Sequence, residues 1–216
     1  MYRYDEIGRD IIAQLTANGK SIEEIVFVTG SANKVIEMKR MLHIDSIKVT
    51  TRDIDLPEIQ DSDVLNIVEQ KCRSAFDQIV GDGEGDSTSS PSGLRCVMIE
   101  DTCLNFNALN GMPGPYIKWF MKAIGNEGLH RLLAGFEDKS AEAVCLYALM
   151  TGRDRIFFCR GAVRGRIVEP RGSSWGWDPI FEEHRCSKTF GELGPEEKSK
   201  YSHRSSALMV MKKVLC

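Results

Sequence analysis

The stretch Val97–Phe120, VMIEDTCLNFNALNGMPGPYIKWF, decides how the rest of the chain is arranged. The apolar residues 96–99 predict a short buried strand that ends at Glu100 and Asp101. Ligands of open α/β sheets bind beyond the carboxyl ends of strands, and charges are rarely buried without partners. Two carboxylates at such an edge therefore indicate a binding site, although an acidic strand end in solvent is the competing interpretation.

A turn-forming segment, residues 110–115, and a helix follow the two acids. Proline suits the first turn of a helix, so we expect this helix to begin near Pro115 and to carry Lys118. The order of acid, tight loop, helix and lysine suits a polyphosphate that is bound together with a metal ion.

The composition is that of one globular domain covering residues 1–216. The chain has 42% hydrophobic and 27% charged residues and a net charge of −3, so nothing indicates a surface for nucleic-acid polymers or membranes. No apolar run approaches the ~18 residues that a membrane-spanning helix needs, and the N-terminus lacks the apolar core of a signal peptide. We therefore expect a cytoplasmic protein.

The cysteines are scattered along the chain without a C-x-x-C pair, and most have apolar neighbours. This pattern predicts reduced thiols in the core and neither zinc ligands nor disulfides. The seven lie at positions 72, 96, 103, 145, 159, 186 and 216.

Two segments differ from the rest in composition. Residues 1–22 form an N-terminal extension whose apolar residues have helical spacing, which predicts a short amphipathic helix. Residues 81–93, GDGEGDSTSSPSG, can bury too little apolar area to offset the entropy of ordering. We expect a flexible surface insertion there and not a domain boundary, because a core strand follows it.

A first central strand, residues 25–28, leads through a glycine turn into a helix. Free backbone N–H groups at the helix start, together with a lysine, form a candidate anion site. Its residues are Thr29, Gly30, Ser31, Ala32, Asn33 and Lys34, with Ser31 or Asn33 as the candidate N-cap. The P-loop spacing G-x-x-x-x-G-K-[ST] is absent, so the turn by itself is weak evidence.

Two further charged side chains gain meaning only in combination with others. Pro57 excludes a regular helix at Glu58 and places this acid on a loop, where most acids are simply solvated. Lys71 lies off the apolar face of a helix predicted over residues 64–79, and on its own it is a surface lysine.

The order of the predicted elements indicates a mixed sheet. Strand, helix and strand alternate in the first half of the chain, which is typical of parallel pairing. In the second half, strands over residues 143–150 and 155–168 are joined at a short turn and predict an antiparallel hairpin.

The last third carries a second cluster of chemically active residues. Trp175, Gly176, Trp177 and Asp178 place two aromatic rings around a glycine, and such rings form either a stacking wall for a planar base or part of the core. Lys198 lies in a helix that opens with a proline and two acids.

His203 and Arg204 begin the final helix, where a cation gains nothing from the helix dipole. This mismatch indicates a ligand, with simple surface exposure as the alternative.

Six motifs in one order resemble the inosine triphosphate pyrophosphatase family, the Ham1-like nucleotide hydrolases. They are FVTGSANK, DLPEIQ, the Val97–Phe120 stretch, LLAGFEDKSA, GRIVEPRGSSWGWDP and EEKSKYSHR, which span nearly the whole chain. The resemblance implies an elongated mixed β-sheet with flanking helices and two lobes around a central substrate cleft. It also implies a homodimer that hydrolyses ITP, dITP and XTP to the monophosphate and pyrophosphate with Mg²⁺, or with Mn²⁺ as a substitute.

The resemblance assigns roles position by position. Residues 29–34 match the phosphate-binding turn, and Glu58 and Asp101 match the metal-binding acids, with Asp101 also as the base that activates water. Contacts to the triphosphate or sugar fall on Lys71, Thr102 and Lys118, and the base pocket on Trp175, Gly176, Trp177, Asp178, Lys198, His203 and Arg204. Ser31 and Trp175 depart from the family pattern, which commonly has asparagine and phenylalanine there.

Two other functions compete with this interpretation. A nucleotide sensor would hold a triphosphate without turnover, but it has no need of a water-activating acid. A pyrophosphatase of broader specificity would accept other bases. We expect Arg204 to favour purines with an oxygen at position 6, because a guanidinium can only donate hydrogen bonds.

Overall fold

The computed structural model describes residues 22–80, 94–172 and 175–215. The predicted N-terminal helix and the predicted insertion at 81–93 lie outside these ranges, except that Ile22 already belongs to the first strand.

Seven strands and five α-helices make up the described part of the chain. In order they are β1 (Ile22–Val28), α1 (Ala32–Met41), β2 (Lys48–Arg52), α2 (Val64–Val80), β3 (Leu94–Phe106), β4 (Pro113–Gly114), α3 (Ile117–Arg131), β5 (Ser140–Gly152), β6 (Arg155–Ile167), β7 (Phe181–Glu183), α4 (Pro195–Tyr201) and α5 (His203–Leu215). Short 3-10 turns cover Asn107–Leu109 and Asp178–Ile180.

The strands form a single mixed sheet, as the order of elements predicted. The strand order is β2-β1-β3-β5-β6-β7, and the short β4 pairs with β3. β1 runs parallel to β2 and β3, whereas β3, β5, β6 and β7 pair antiparallel. The predicted hairpin is the β5–β6 pair.

β3 is much longer than the sequence indicated. It does not end at Glu100, because Val97–Phe106 pair continuously with β5. On its other side, the pairing with β1 stops at Met98, opposite Phe27. Glu100 and Asp101 therefore lie beyond the carboxyl end of β1 and not at the end of their own strand.

Both faces of the sheet are covered, which explains the continuous apolar runs of its central strands. Side chains alternate between the two faces along each strand. Ile25 and Phe27 of β1 pack with α1 and α5, whereas Val26 and Val28 pack with α2. On the final helix, Leu208 is buried and Val210 is exposed.

A second hydrophobic core lies around the far ends of β3, β5 and β6. It includes Leu104 and Phe106 of β3, Leu129 of α3, and Phe181 and Phe190 from the segment after β6. β3 and β5 contribute side chains both to this core and to those that cover the two faces of the sheet around β1.

α3 begins at Ile117, near Pro115 as the sequence predicted, and it continues to Arg131 with a break at Gly125. Gly125 has φ 63° and ψ −173°, a conformation that side chains other than glycine rarely adopt.

α5 packs directly onto the backbone of β6 at Gly161. A Cβ atom at this position would lie 2.2 Å from both the amide nitrogen of Ala207 and the carbonyl oxygen of His203. Because both atoms belong to the backbone, no side-chain rotation relieves the clash, and the helix itself would have to move.

We expect Gly161→Ala to lower the free energy of unfolding by ~1–3 kcal/mol or more, the usual cost of forcing extra volume into a packed core. Gly135→Ala is the matched control, because a Cβ there meets no atom within 4 Å. Urea unfolding of both variants measures the difference. Equal stability of the two variants would contradict the packing described for α5.

Candidate active site

Glu100 and Asp101 are neighbours on β3, and their side chains point to opposite faces of the sheet. Asp101 meets Lys71 of α2, with 3.1 Å between the carboxylate and the ammonium. Glu100 faces the other way and meets Lys34 of α1 and Arg204 of α5. The two acids therefore contact different groups on opposite faces of the sheet, although they are adjacent in sequence.

A cleft of about 880 Å³ opens where β1 ends and collects most of the predicted site residues. These are Thr29, Gly30, Ser31, Lys34, Glu58, Lys71, Asp101, Thr102, Lys118, Trp175, Gly176, Trp177, Asp178, His203 and Arg204.

Three predicted site residues lie outside this cleft. Asn33 and Lys198 line an adjoining cavity of about 620 Å³, which shares Trp175 and Arg204 with the cleft. Ala32 lines neither cavity.

At one end of the cleft, two carboxylates converge on one ammonium group. Lys71 Nζ lies 3.1 Å from Asp101 Oδ2 and 3.7 Å from Glu58 Oε2. Lys118 of α3 contacts the other oxygen of Glu58, and this hydrogen bond lowers the pKa of the Glu58 carboxyl. Residues from three secondary-structure elements and one loop thus form a mixed cluster of acids and lysines.

The turn between β1 and α1 has the local structure of an anion site. Ser31 is the N-cap of α1 and accepts from the amide of Lys34 at 3.5 Å, and its own amide donates to Thr29 Oγ1 at 3.1 Å. A Cβ at Gly30 would lie 2.8 Å from a carboxylate oxygen of Asp53, so a larger residue there would displace the Asp53 side chain. The first turn of α1 contains no acid that would repel a phosphate.

Glu100 is a buried carboxylate with two cationic partners. Lys34 Nζ lies 2.6 Å from Oε2, and Arg204 Nη2 lies 3.1 Å from Oε1. Burial alone would raise the pKa of Glu100, but Arg204 and Lys34 outweigh it and lower the pKa to about 2. The group is therefore ionised at neutral pH.

The two tryptophans have different environments. Trp177 is buried against Phe181, Phe190 and His203, with ring centroids 5.2 Å apart in the histidine pair. The core interpretation is thus correct for Trp177. Trp175 is exposed and has the Arg204 guanidinium 5.7 Å from its ring centroid, so it is available for stacking.

His203 and Arg204 are both buried at the start of α5, which excludes the alternative of surface exposure. Within the described ranges, neither ring nitrogen of His203 has a hydrogen-bond partner, and Arg204 Nε has none either. Burial, followed by the charges of Arg204 and Lys198, lowers the pKa of His203 well below 6.5. A neutral imidazole therefore faces the cleft with free nitrogens.

Glu37 is a member of the site that the sequence analysis missed. It contacts Arg204 Nη1 and lies 3.1 Å from Lys198 Nζ. Lys198 in turn lies 2.5 Å from Asp178. The sequence did contain a signal for Glu37 as a site residue, because it follows Lys34 by three positions and so lies on the same side of α1.

The sequence and the fold are similar to those of known proteins. A model of the Ham1 family matches residues 25–214. The chain belongs to the Ham1 family. Inosine triphosphate pyrophosphatases of Neurospora crassa and Ajellomyces capsulatus are each 43% identical to it over 197 residues, which is 90% of this chain and 93% and 97% of theirs. A HAM1 protein from Coxiella burnetii aligns with a TM-score of 0.72 and 28% identity, covering 90% of this chain and 98% of its own.

These similarities confirm the predicted Ham1 family and the mixed α/β fold. Across the described segments of this Ham1 protein, no three His, Cys, Asp or Glu side chains are grouped so that they alone could hold a metal ion. Within the same segments, every helix is too short or too polar to cross a membrane. The six cysteines of the described segments are free thiols, and five of them are buried, as the spacing predicted.

We expect the burial of His203 to make the protein less stable in mild acid. Since its pKa is lowered in the folded state, the unfolded chain binds a proton that the folded chain does not. The stability that neutral His203 contributes to the folded protein is therefore fully present above pH 6.5, and it is lost as the pH falls below that value. From pH 6 to 5, the free energy of unfolding should fall more steeply in the wild type than in His203→Gln, by ~1.4 kcal/mol per pH unit.

Urea unfolding at several pH values measures these slopes. His184→Gln is the control because His184 is exposed, and it should keep the slope of the wild type. A slope unchanged in His203→Gln would show that His203 is protonated in the folded protein.

Proposed function

We propose that this enzyme hydrolyses non-standard purine nucleoside triphosphates, namely ITP, dITP and XTP, to the monophosphate and pyrophosphate. The observation that carries the proposal is the layout of one cleft. Acids and lysines from three secondary-structure elements and one loop line one end, and an exposed aromatic ring with unpaired buried donors lines the other. A triphosphate and a purine base need these two environments at opposite ends of one site.

Glu58 and Asp101 fit a divalent cation. Their oxygens approach a common position, since both lie within 3.7 Å of the same Lys71 ammonium. Mg²⁺ in nucleotide sites is typically held by one or two carboxylates plus substrate phosphates, and it keeps several waters. We assign these two acids to Mg²⁺, with Mn²⁺ as a substitute; the bound ion would supply positive charge against the triphosphate.

The triphosphate itself is assigned to the cations and amides of the same end. Lys34, Lys71 and Lys118 reach the cleft from α1, α2 and α3, and Thr29, Gly30, Ser31 and Thr102 line it beside them. Phosphoryl transfer is catalysed mainly by positioning and by neutralising charge, which such a ring of donors supplies.

Asp101 is assigned as the general base. It accepts hydrogen bonds from Lys71 at Oδ2 and from the amide of Thr102 at Oδ1, which fixes its orientation. It would take a proton from the attacking water as the water oxygen bonds to the α-phosphorus. The bond from that phosphorus to the bridging oxygen breaks at the same time, and pyrophosphate leaves.

The base is assigned to the aromatic end. Trp175 would stack on the purine, while Gly176, Trp177 and Asp178 form the wall behind it. Arg204 and His203 carry the donors that lack partners, and a donor in this place favours a 6-oxygen over the 6-amino group of adenine. Lys198 supports the wall through Asp178.

The family resemblance also supports a homodimer in the cytoplasm as the working form. Free thiols at all six described cysteines suit a reducing compartment. Light scattering coupled to gel filtration tests the dimer.

The decisive experiment is a panel of ITP, dITP, XTP, ATP and GTP assayed for all products, with and without Mg²⁺. We expect IMP and pyrophosphate from ITP, and little turnover of ATP. IDP and orthophosphate as first products would overturn the proposal. Tight nucleotide binding without turnover would favour the sensor.

We expect Asp101→Asn and Glu58→Gln each to lower kcat for ITP by at least ~100-fold, the scale on which one key electrostatic or acid–base group acts. Glu69→Gln is the control, since Glu69 pairs with Arg73 on the same helix as Lys71 but outside the cleft. Near-normal turnover in a folded Asp101→Asn protein would remove Asp101 from the role of base.

A further inference from the structure

Six charged side chains of alternating sign connect the two ends of the site. The sequence of contacts is Lys34, Glu100, Arg204, Glu37, Lys198 and Asp178. It starts at the phosphate turn before α1 and ends at the wall behind the base. Each of the four inner groups contacts one opposite charge on either side, so displacing one disturbs both neighbours.

Glu100 is the member that joins the two halves. Its side chain is 0% exposed, and the two cations that it touches belong to α1 and α5. Cys145 Sγ also lies 3.3 Å from Oε1, and Lys34 Nζ makes a further hydrogen bond to the Glu100 carbonyl at 3.2 Å. A carboxylate buried this deeply is stable only with its partners in good geometry, so it constrains where both cations lie.

We propose that Glu100 is a positioning residue that couples recognition of the base by Arg204 to binding of the triphosphate by Lys34. This inference rests on the proposed function. The Glu100 side chain is 0% exposed, so we expect it to act through its two partners by holding the guanidinium and the ammonium at a fixed separation. The correct base and the phosphates then reach their donors together.

Loss of the charge would release this constraint. Without the carboxylate, Arg204 and Lys34 are two buried cations that repel each other. Arg204 keeps its second partner, Glu37, and would turn toward it and away from the position that suits the 6-oxygen. A displacement of about 1 Å at such a group is enough to cost ~100-fold in rate.

The test is Glu100→Gln, which keeps the shape of the side chain and removes its charge. We expect kcat/KM for ITP to fall ~100-fold and kcat/KM for ATP to fall ~10-fold or less, because ATP shares only the Lys34 contact, so that selectivity falls at least ~10-fold. The control is Glu182→Gln. Glu182 is also a nearly buried carboxylate held by two cations, Arg166 and Arg171, but it lies outside both cavities.

A double-mutant cycle with Arg204→Ala separates positioning from a general loss of order. If Glu100 acts through Arg204, the ITP-to-ATP ratio of the double mutant equals that of Arg204→Ala alone. Losses of selectivity that multiply would overturn the proposal. So would a folded Glu100→Gln protein with wild-type selectivity, or one that loses activity on both substrates equally, as a merely structural group would.

Glu100→Asp covers the case in which the glutamine variant does not fold. It keeps the charge but shortens the side chain, so we expect a folded protein with selectivity between those of the wild type and Arg204→Ala. Unchanged selectivity in Glu100→Asp would then overturn the proposal.

Measuring the wild type first distinguishes a failure of the proposed function from a failure of the proposed role of Glu100. A wild type without turnover of ITP contradicts the proposed function, and the same ITP-to-ATP ratios are then read from dissociation constants. A wild type that hydrolyses ITP, next to a Glu100→Gln variant that keeps its selectivity, contradicts only the role of Glu100.

Discussion

The site depends on the difference in length between β1 and β3. β1 stops pairing at Phe27, whereas β3 continues to Phe106 along its antiparallel partner β5. The edge of β3 beyond that point has no parallel neighbour, and the cleft fills the place that such a strand would occupy. Parallel pairing brings in the helices that carry lysines, and antiparallel pairing extends the strand that carries the acids.

Because side chains alternate between the two faces of the sheet along β3, its two adjacent acids lie in different environments. Asp101 faces the helix with Lys71 and is partly exposed in the cleft. Glu100 faces the other side, where its side chain is fully buried against Lys34 and Arg204. One peptide unit therefore separates a partly exposed carboxylate from a buried one that two cations hold, and no loop is needed to bring both to the cleft.

The sequence was informative where local rules apply. Helix and strand periods located nearly every described element, and the motifs located the cleft residues from Thr29 to Arg204. It was wrong about the end of β3, because the pairing that extends this strand comes from residues about forty positions later. Trp177 shows the same limit, since only tertiary packing separates a core ring from an exposed one. Glu37 was missed because its partners lie on α4 and α5.

The close approach of α5 to β6 at Gly161 limits how the enzyme can open and close. The two backbones are in contact there, so the first turn of α5 has no room to move toward the sheet. His203 and Arg204 are carried on that turn, and their positions are therefore constrained by β6. Conformational change around the cleft would then fall on other parts of its lining, such as the loop with Glu58 and the start of α3 with Lys118.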